Sequence, residues 1–316
     1  MQRCYQLNLP QTYGARCWGS SCGWVVTLDL NLEIYMFNPL TKARVPLPSQ
    51  TTMFNDYEDE INDYVWARQC FVNKMIVFET DNERDDYIVI ALPGAFPGCI
   101  AYYARRSDKA WTSIFSTRKL QGWLLDWVTD VVRWGQKLLF LYQDGAIGYC
   151  DMSALENSKI ATIMEYSPIP KAYDPWPCIK QQYLLDAFGD LLMVSRHKID
   201  YEGVEDNSVN YDTLHFKVYR FKFDTNTWVQ VNDLGDVALF VGNNTSIPIR
   251  ASHINNCKRN CIYFTDDEFQ FWNSLTLFGG HDMGLFNMTN NEFETVYGGD
   301  DIHSSFCPSL WFMPKF

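Results

Sequence analysis

Three residues near the C-terminal third of the sequence have side chains that bind metals. His253, Cys257 and Cys261 are separated by three residues each, and imidazole and thiolate groups are the usual ligands of zinc. A structural zinc site needs four ligands, and the neighbouring sequence offers no evident fourth. We therefore predict that this stretch holds no metal and that the protein uses no cofactor.

A group of carboxylates follows a few residues later, at Asp266, Asp267 and Glu268. Carboxylates this close could bind calcium or do acid–base work. Adjacent residues of a strand point to opposite faces, so they do not converge on one substrate without a bend. We interpret the group as the polar end of a strand that caps a turn.

The remaining candidates for catalysis are weak. Cys22 lies in Gly-Ser-Ser-Cys-Gly, which resembles a nucleophile elbow, but an elbow joins a strand to a helix and another strand-like run follows here. The five histidines, including His281 and His303, form no recognisable triad or metal cluster. The sequence therefore predicts a protein that is not an enzyme, with a hydrolase or oxidase as the alternative.

The elements that would position these residues are strands. In Leu214–Val231, apolar residues alternate with polar ones and then change phase, which predicts a strand covered on both faces. Asp224-Thr-Asn-Thr interrupts the run, because Asp and Asn side chains bond their own backbone and close a turn. The stretch predicts two antiparallel strands joined by a tight corner.

The same pattern of strand, Asn or Asp corner and strand recurs along the chain. Corners of this type occur near residues 38, 107, 151, 224 and 287, and the units open near Cys17, Arg68, Thr129, Lys180 and Ala238. Sheets repeated at about 50 to 60 residues are typical of propeller blades. We predict an all-β fold, a single β-propeller over residues 1–316. Its blades should be about six four-stranded sheets with one incomplete, or alternatively five.

Ring closure determines the choice between these counts. A propeller usually closes by pairing N-terminal and C-terminal strands in one blade. Leu7–Pro10 and Leu310–Met313 are the candidates here, but they supply about two strands where a blade has four. This shortage is the basis of the incomplete sixth blade.

Two segments have other local predictions. The run before Val128 is compatible with a helix, and we predict a strand from about Thr129 onward. A hairpin is expected to turn near Gly189. Residues 197–212 are polar and rich in Asp, Glu and Asn, so they are predicted to form a mobile surface loop.

Composition excludes several classes of protein. The 26 Lys and Arg residues are outnumbered by 38 Asp and Glu, and the formal charge of -12 disfavours nucleic acid as a partner. The N-terminus lacks the apolar core of a secretory signal, and no apolar window is long enough to span a membrane. We predict a cytoplasmic or nuclear protein whose ten cysteines stay reduced.

Several motifs resemble one family. Residues 233–246 and Cys257-Lys-Arg-Asn-Cys-Ile-Tyr-Phe-Thr-Asp-Asp resemble the signature of plant F-box proteins with a KIB-type β-propeller domain. Gly19-Ser-Ser-Cys-Gly-Trp, Asn38-Pro-Leu, the Leu47-Pro ending and Leu310-Trp-Phe-Met-Pro are similar to further markers of that family. Together these motifs cover nearly the whole chain in the expected order.

The resemblance implies a function in protein recognition. In this family the F-box grips a Skp-type adaptor of a cullin ubiquitin ligase, and the propeller holds the protein to be ubiquitinated. Only sixteen residues precede Cys17, and none forms an amphipathic helix, so we expect no F-box in this chain. Binding to a Skp-type adaptor is expected only if an F-box exists upstream of Met1.

The partner-binding residues are predicted from the longest connections. Tyr57, Glu58 and Asp59 lie in an acidic connection, and Phe269, Phe271 and Trp272 lie in an aromatic one. The aromatic rings are either packed against a blade or displayed as an anchor for a partner. The partner is expected to be a protein, and its identity is not encoded in these patterns.

Overall fold

The structure is a computed structural model, and the regular secondary structure of its described residues is almost entirely β-strand. These residues are 8–53, 67–80, 87–94, 99–116, 127–156, 162–166, 179–201, 210–267, 282–295 and 309–315. Helical structure in this part is limited to 3-10 turns at Pro10–Thr12, Gln50–Met53 and Ala251–His253, a π-turn at Ala67–Phe71, and one short α-helix, α1 (Met152–Glu156). The prediction of an all-β fold is confirmed.

The strands fall into five successive units, which we call blades 1 to 5. Blade 1 contains β1 (Arg16–Gly19), β2 (Val25–Leu28), β3 (Ile34–Phe37) and β4 (Arg44–Pro46). Blade 2 contains β5 (Val72–Glu79), β6 (Tyr87–Pro93), β7 (Ala101–Arg105) and β8 (Thr112–Ser116). Blade 3 contains β9 (Val128–Trp134), β10 (Lys137–Tyr142), β11 (Ile147–Asp151) and β12 (Thr162–Tyr166). Blade 4 contains β13 (Ile179–Ala187), β14 (Asp190–Tyr201), β15 (Asn210–Lys222) and β16 (Thr227–Val231). Blade 5 contains β17 (Val237–Val241), β18 (Ile247–Arg250), β19 (Cys261–Phe264), β20 (Gly284–Asn287) and β21 (Glu292–Glu294).

Blades 1 to 4 are antiparallel sheets with their strands in chain order. A short parallel pairing of β8 with β12 joins the last strands of blades 2 and 3. Blade 5 differs, because its strand order is β18-β17-β19-β20-β21 and β17 runs parallel to β19. The described strands thus form five blades, so the alternative count of five is confirmed in place of six with one incomplete.

Apolar side chains fill the spaces between neighbouring blades. Trp18 and Met75 belong to one buried cluster that joins blades 1 and 2, and similar clusters join each following pair up to blades 4 and 5. Strand β15 shows how one strand serves two clusters: Phe216 packs toward blade 5 and Phe221 toward blade 3. The predicted change of phase in Leu214–Val231 therefore marks the position where side chains that face blade 5 give way to side chains that face blade 3. The burial of each of these phenylalanine side chains contributes about 1.5–3 kcal/mol to the stability of the fold.

The C-terminal segment closes the ring between blades 5 and 1. Trp311 packs against blade 5, and Leu310 and Phe312 pack against blade 1. The Met313 N–H donates to Ser20 O and the Gly23 N–H to Met313 O, both at 3.1 Å. The two ends were predicted to share a blade, but Pro10 lies in a 3-10 turn and residues 309–315 lie between two blades. A sixth blade is not needed for closure.

The recurrent corners have the predicted chemistry. Asn38 Oδ1 accepts hydrogen bonds from the Leu40 and Thr41 N–H groups. Asn226 and Asn291 adopt positive φ in the corresponding corners of blades 4 and 5, a conformation that Asn tolerates better than most residues. The strand from about Thr129 is also confirmed, as is the hairpin turn at Gly189.

One local prediction is wrong at both ends of its range, and the middle of that range, residues 202–209, lies outside the described residues. Residues 197–212 were expected to form a surface loop, but β14 continues to Tyr201 and β15 begins at Asn210. Cross-strand partners include His197 with His215 and Lys198 with Thr213. His197 and Lys198 were misread because their side chains are buried between strands rather than placed in solvent, as described next.

Candidate functional site

The first strands of blades 1 to 4 run side by side and start at the same end of the ring, and the β17–β18 hairpin of blade 5 turns at this end, because Ser246 Oγ donates to Asp130. Arg16 at the start of β1 donates to the carbonyl of Gln69, just before β5. Lys74 near the start of β5 pairs with Asp130 near the start of β9, and Asp130 accepts the N–H of Leu184 in β13. We call this end the connection face, since the links that join blades 1 to 4, and the links between the second and third strands of these blades, begin and end there, as does the link 268–281 of blade 5.

The predicted partner-binding residues are carried by two of these links. Tyr57, Glu58 and Asp59 follow Met53, whereas Phe269, Phe271 and Trp272 follow Asp267. All six lie outside the described residues, so their role stays a prediction. The described flanks of both links lie at the connection face.

Buried hydrogen bonds fix the flanks of the acidic link. Ser49 Oγ and the Gln50 N–H donate to Leu32 O, and Gln50 Nε2 donates to Ala67 O at 3.0 Å. Tyr102 of blade 2 donates through its hydroxyl to Met53 O at 3.2 Å. Blades 1 and 2 therefore hold both ends of the segment that contains Tyr57 to Asp59.

A buried carboxylate joins four blades close to the connection face. Asp130 Oδ1 lies 2.9 Å from Lys74 Nζ, and Asp130 Oδ2 accepts hydrogen bonds from the Leu184 N–H and from Ser246 Oγ. Only 1% of Asp130 and 5% of Lys74 is exposed. A buried charge is stable only when it is paired and hydrogen-bonded, and Asp130 meets this condition by drawing partners from blades 2, 4 and 5.

A second group of buried charges, which we call the charge network, lies between blades 4 and 5. Arg196 Nη1 lies 3.1 Å from Asp267 Oδ1, and Arg196 Nη2 lies 2.9 Å from Asp282 Oδ2. Lys198 Nζ donates to the same Asp267 oxygen at 2.9 Å, and the Tyr183 hydroxyl donates to Asp267 Oδ2. Arg196, Lys198 and Asp267 are all almost completely buried.

Backbone groups and hydroxyls complete the charge network. Arg196 also donates to Thr213 Oγ1 at 2.7 Å and to the carbonyls of Thr265 and Asp282, each at 2.8 Å. Tyr211 donates through its hydroxyl to the Asp266 carboxylate at 2.6 Å. Because Asp267 and Asp282 flank the link 268–281, the charge network ties both ends of that link to blade 4.

The protonation states follow from these contacts. Burial by itself would raise the pKa of the Asp267 carboxyl, but the cations of Lys198 and Arg196 hold this pKa below its ordinary value. Burial and the Asp267 charge raise the pKa of Tyr183 well above its usual value. At neutral pH Asp267 is therefore a carboxylate, and Tyr183 is a neutral phenol that donates to it.

The interpretation of the carboxylates at 266–268 needs correction. Asp266 and Asp267 were expected to point to opposite faces at the polar end of a strand that caps a turn, but both are buried and bind groups of blade 4. Strand β19 ends at Phe264, so the strict alternation of a strand no longer applies to them. Both carboxylates, together with Asp282, turn toward blade 4. These three acids come from one blade and are bound to protein cations or hydroxyls, so they form an ion-pair network rather than a set of ligands from several blades facing an open channel.

The other candidate residues are not brought together. His253 is exposed at the end of a 3-10 turn, whereas Cys261 is buried in β19. Burial raises the pKa of the Cys257 and Cys261 thiols. Among the described residues, no three His, Cys, Asp or Glu side chains form a group that could hold a metal ion. Cys22 is buried after β1, where its pKa is raised by burial.

Sequence reasoning missed Lys74, Asp130, Arg196 and Lys198. A signal was present for Asp130, which interrupts an apolar run, whereas Arg196 and Lys198 lie in the polar run Ser195-Arg-His-Lys. Asp130 lies between Val128 and Val131. A charged residue inside such a run indicates a buried partner, but the partner lies in another blade and cannot be read locally.

In the part of the chain that the structure describes, no helix is long and apolar enough to cross a membrane.

The comparisons with known proteins agree with the fold. A probable F-box protein of Arabidopsis thaliana is 25% identical over 95% of this chain and 73% of its own length. The F-box/kelch-repeat protein KIB1 of Arabidopsis thaliana is 22% identical, over 90% of this chain and 61% of KIB1. The F-box protein SKIP23 of the same plant is 24% identical, over 87% of this chain and 70% of SKIP23. The model of the KIB1-4 beta-propeller matches residues 1–287, and the chain therefore belongs to the KIB1-4 β-propeller family.

Proposed function

We propose that this propeller recognises a protein substrate for a cullin-type ubiquitin ligase of the F-box class. Its relatives carry the F-box name, and F-box subunits couple a substrate to the ligase through a separate adaptor-binding segment. In this proposal the propeller supplies the substrate contact alone. Binding to a Skp-type adaptor requires an F-box upstream of Met1.

The observation that carries the proposal is the fixation of two links at one face. The flanks of 54–66 are bonded by Gln50 and Tyr102, and those of 268–281 by Arg196 and Lys198. Because the ends of both links are fixed, the links lose less conformational entropy when a partner binds. We place substrate contact on this face, with Tyr57, Glu58 and Asp59 in one link and Phe269, Phe271 and Trp272 in the other.

Charge favours a protein partner with a basic surface. The link 54–66 contains five acidic residues and no Lys or Arg, and the link 202–209 contains three acidic residues and no Lys or Arg. Complementary potentials speed encounter and reject wrong partners. The same charge opposes nucleic acid and anionic membranes. We predict that the protein acts in the cytoplasm or the nucleus.

The test compares substrate capture by variants of the two ends of the ring. The tagged chain is expressed in plant cells, and proteins that co-purify with it are quantified with and without an inhibitor of cullin activation. Proteins that co-purify with the wild type should have longer half-lives under the inhibitor. Glu58→Lys/Asp59→Lys should abolish their recovery, whereas Asp224→Lys at an exposed corner of the opposite end should not.

Trp272→Ala separates the two interpretations of the aromatic link. Loss of capture at an unchanged melting temperature would support an anchor for the partner. A large fall in melting temperature would assign Trp272 to the core instead. Equal recovery of co-purifying proteins by the wild type and by Glu58→Lys/Asp59→Lys would contradict the proposed function. Half-lives of these proteins that do not respond to the inhibitor would also contradict it.

A further inference from the structure

An exposed aromatic ring and an exposed cation of neighbouring blades are in contact at the end of the ring opposite the connection face. Phe188 lies in the turn between β13 and β14 of blade 4, and Arg250 is the last residue of β18 in blade 5. The guanidinium carbon of Arg250 lies 4.5 Å from the centre of the Phe188 ring. Phe188 is 51% exposed, and Arg250 is exposed as well. We call Phe188 and Arg250 the stacked pair.

The backbone at Phe188 has a conformation that phenylalanine rarely adopts. Strands β13 and β14 pair up to Ala187 and Asp190, so Phe188 and Gly189 form a two-residue turn, with φ of 59° and 95°. Turns with positive φ at both positions favour Asn-Gly or Asp-Gly, because positive φ brings the Cβ of a larger residue close to a carbonyl oxygen. Strain of this kind persists mainly at functional sites. A bulky side chain that is strained and yet exposed points to a binding role rather than a structural one.

The carboxylates beside the ring are bonded to other groups. Asp186 Oδ1 accepts the Gly189 N–H at 2.8 Å, and Asp190 Oδ2 lies 3.1 Å from Arg220 Nη2. Neither acid of this turn is therefore committed to the Arg250 charge.

Arg250 itself keeps its charge for a ligand. In the described ranges its guanidinium forms no salt bridge, and residues 250–259 contain no Asp or Glu. Asp236 lies next to it in the sheet, but its carboxylate accepts the Ser252 N–H at 3.1 Å and Ser252 Oγ at 2.6 Å. Pairing of β18 with β17 and the bond from the Ala251 N–H to Asp236 O, at 2.8 Å, fix the backbone of Arg250. Groups that are fixed before binding lose less entropy on binding.

We propose that the stacked pair is a docking site for an acidic segment of a second protein, in which a carboxylate lies next to an apolar side chain. The apolar side chain packs on the part of the Phe188 ring that Arg250 leaves uncovered. The guanidinium donates to the carboxylate, whose two oxygens match its planar fork. A phosphate backbone would use Arg250 but not the ring, and the formal charge of -12 opposes nucleic acid. The site lies away from the connection face, so this inference goes beyond the proposed function and does not depend on it.

The test uses synthetic peptides and the full chain. A fluorescein-labelled peptide with a central Asp-Leu-Glu between Gly-Ser repeats is titrated with the protein and followed by anisotropy. The buffer contains about 0.15 M NaCl, so that charges more than about 8 Å apart are largely screened. A second peptide carries Asp-Ser-Glu, and a third carries Asn-Leu-Gln. Each of these should bind about tenfold more weakly than the Asp-Leu-Glu peptide.

Phe188→Asn separates a binding role from a structural one. Asn tolerates positive φ better than Phe, and Asn-Gly is a preferred turn, so the melting temperature should equal or exceed that of the wild type. The same variant should bind the Asp-Leu-Glu peptide about tenfold more weakly, because the ring is lost. Arg250→Gln should no longer prefer Asp-Leu-Glu to Asn-Leu-Gln, but should still prefer it to Asp-Ser-Glu.

Matched controls come from the same end of the ring. Phe223 is 48% exposed at the corner between β15 and β16, where it packs on Trp134. Arg259 is an exposed cation of the turn that follows Arg250. Phe223→Asn and Arg259→Gln should bind all three peptides as the wild type does.

Several results would overturn the inference. Equal affinity of the wild type for the three peptides would mean that the site has no selectivity, and equal losses in Arg250→Gln and Arg259→Gln would mean that charge alone attracts them. A large fall in the melting temperature of Phe188→Asn would assign the ring to stability. Tighter binding of a labelled single-stranded oligonucleotide that depends on Arg250 would identify a nucleic-acid site instead. None of these results bears on substrate capture by the connection face, so failure here leaves the proposed function to its own test.

Discussion

Removal of Arg196 tests whether the charge network stabilises the ring. The guanidinium is fully buried, lies within 3.1 Å of the carboxylates of Asp267 and Asp282, and donates to two backbone carbonyls. Arg196→Met keeps the volume but leaves the Asp282 carboxylate without its cation. Removal of one partner of a buried ion pair costs about 3–5 kcal/mol. An entropy of unfolding of about 2.1 cal/mol/K per residue converts this loss to a fall in melting temperature of roughly 5–8 °C for this chain.

The control comes from the same hairpin. Arg220 and Asp190 form an ion pair at 3.1 Å between β15 and β14, with side chains 37% and 47% exposed. Because solvent screens this pair, Arg220→Met should cost only about 0–1 kcal/mol. The two variants remove the same side chain from the same sheet and differ mainly in burial.

The assay is equilibrium unfolding in urea, followed by tryptophan fluorescence. A double variant, Arg196→Met/Asp267→Asn, should be less destabilised than the sum of its single variants by about 0.5–3 kcal/mol, since neither residue then leaves the other as an uncompensated charge. The reasoning would be refuted by additive costs in this cycle. It would also be refuted if Arg196→Met were no more costly than Arg220→Met.

Three further outcomes are expected. Asp267 has a pKa below its ordinary value in the folded state, so its contribution to stability is present above the unfolded value of about 3.9 and is lost as pH falls below it. Asp267→Asn should flatten the dependence of unfolding free energy on pH in that range, as measured by urea titrations from neutral to acidic pH. Gly19→Ala should destabilise the ring by up to about 3 kcal/mol, because its Cβ would lie 1.9 Å from Trp311 O, and a wild-type melting temperature would contradict the closure by residues 309–315. Burial raises the pKa of the Cys150 thiol to about 12, so mass spectrometry should find Cys150 unmodified by iodoacetamide at pH 8 in the folded protein and modified in guanidinium.

Much of the fold could be predicted because its signals are local. Alternation in Leu214–Val231 specified two strands and the two faces they cover, and the Asn and Asp corners marked where the last two strands of a blade meet. These patterns depend on neighbours in sequence. The predicted openings of the five units at Cys17, Arg68, Thr129, Lys180 and Ala238 each lie within a few residues of the first strand of a blade.

The closure and the charge network could not be predicted because their contacts are distant in sequence. Trp311 reaches Val241 O across seventy residues, and Arg196 reaches Asp267 across seventy-one. The hydrophobic pattern does not predict a buried ion pair, since a buried lysine such as Lys198 and a solvated lysine look alike in a sequence. The stretch 197–212 was therefore assigned to solvent, although its first residues are as deeply buried as the apolar core.

The position of the charged side chains argues that they serve the connection face. The clusters between blades are apolar over most of their depth, and the buried cations Lys74, Arg196 and Lys198 all bind carboxylates near the starts of the first strands. Apolar residues of similar volume would often stabilise a core as well as a buried ion pair does. Ion pairs differ in that they accept few geometries, and here they fix Asp267 and Asp282, the two ends of one link. A link whose ends cannot move has less conformational freedom to lose when a partner binds. In the function that we propose, the charge network holds the connection face in register in addition to stabilising the ring.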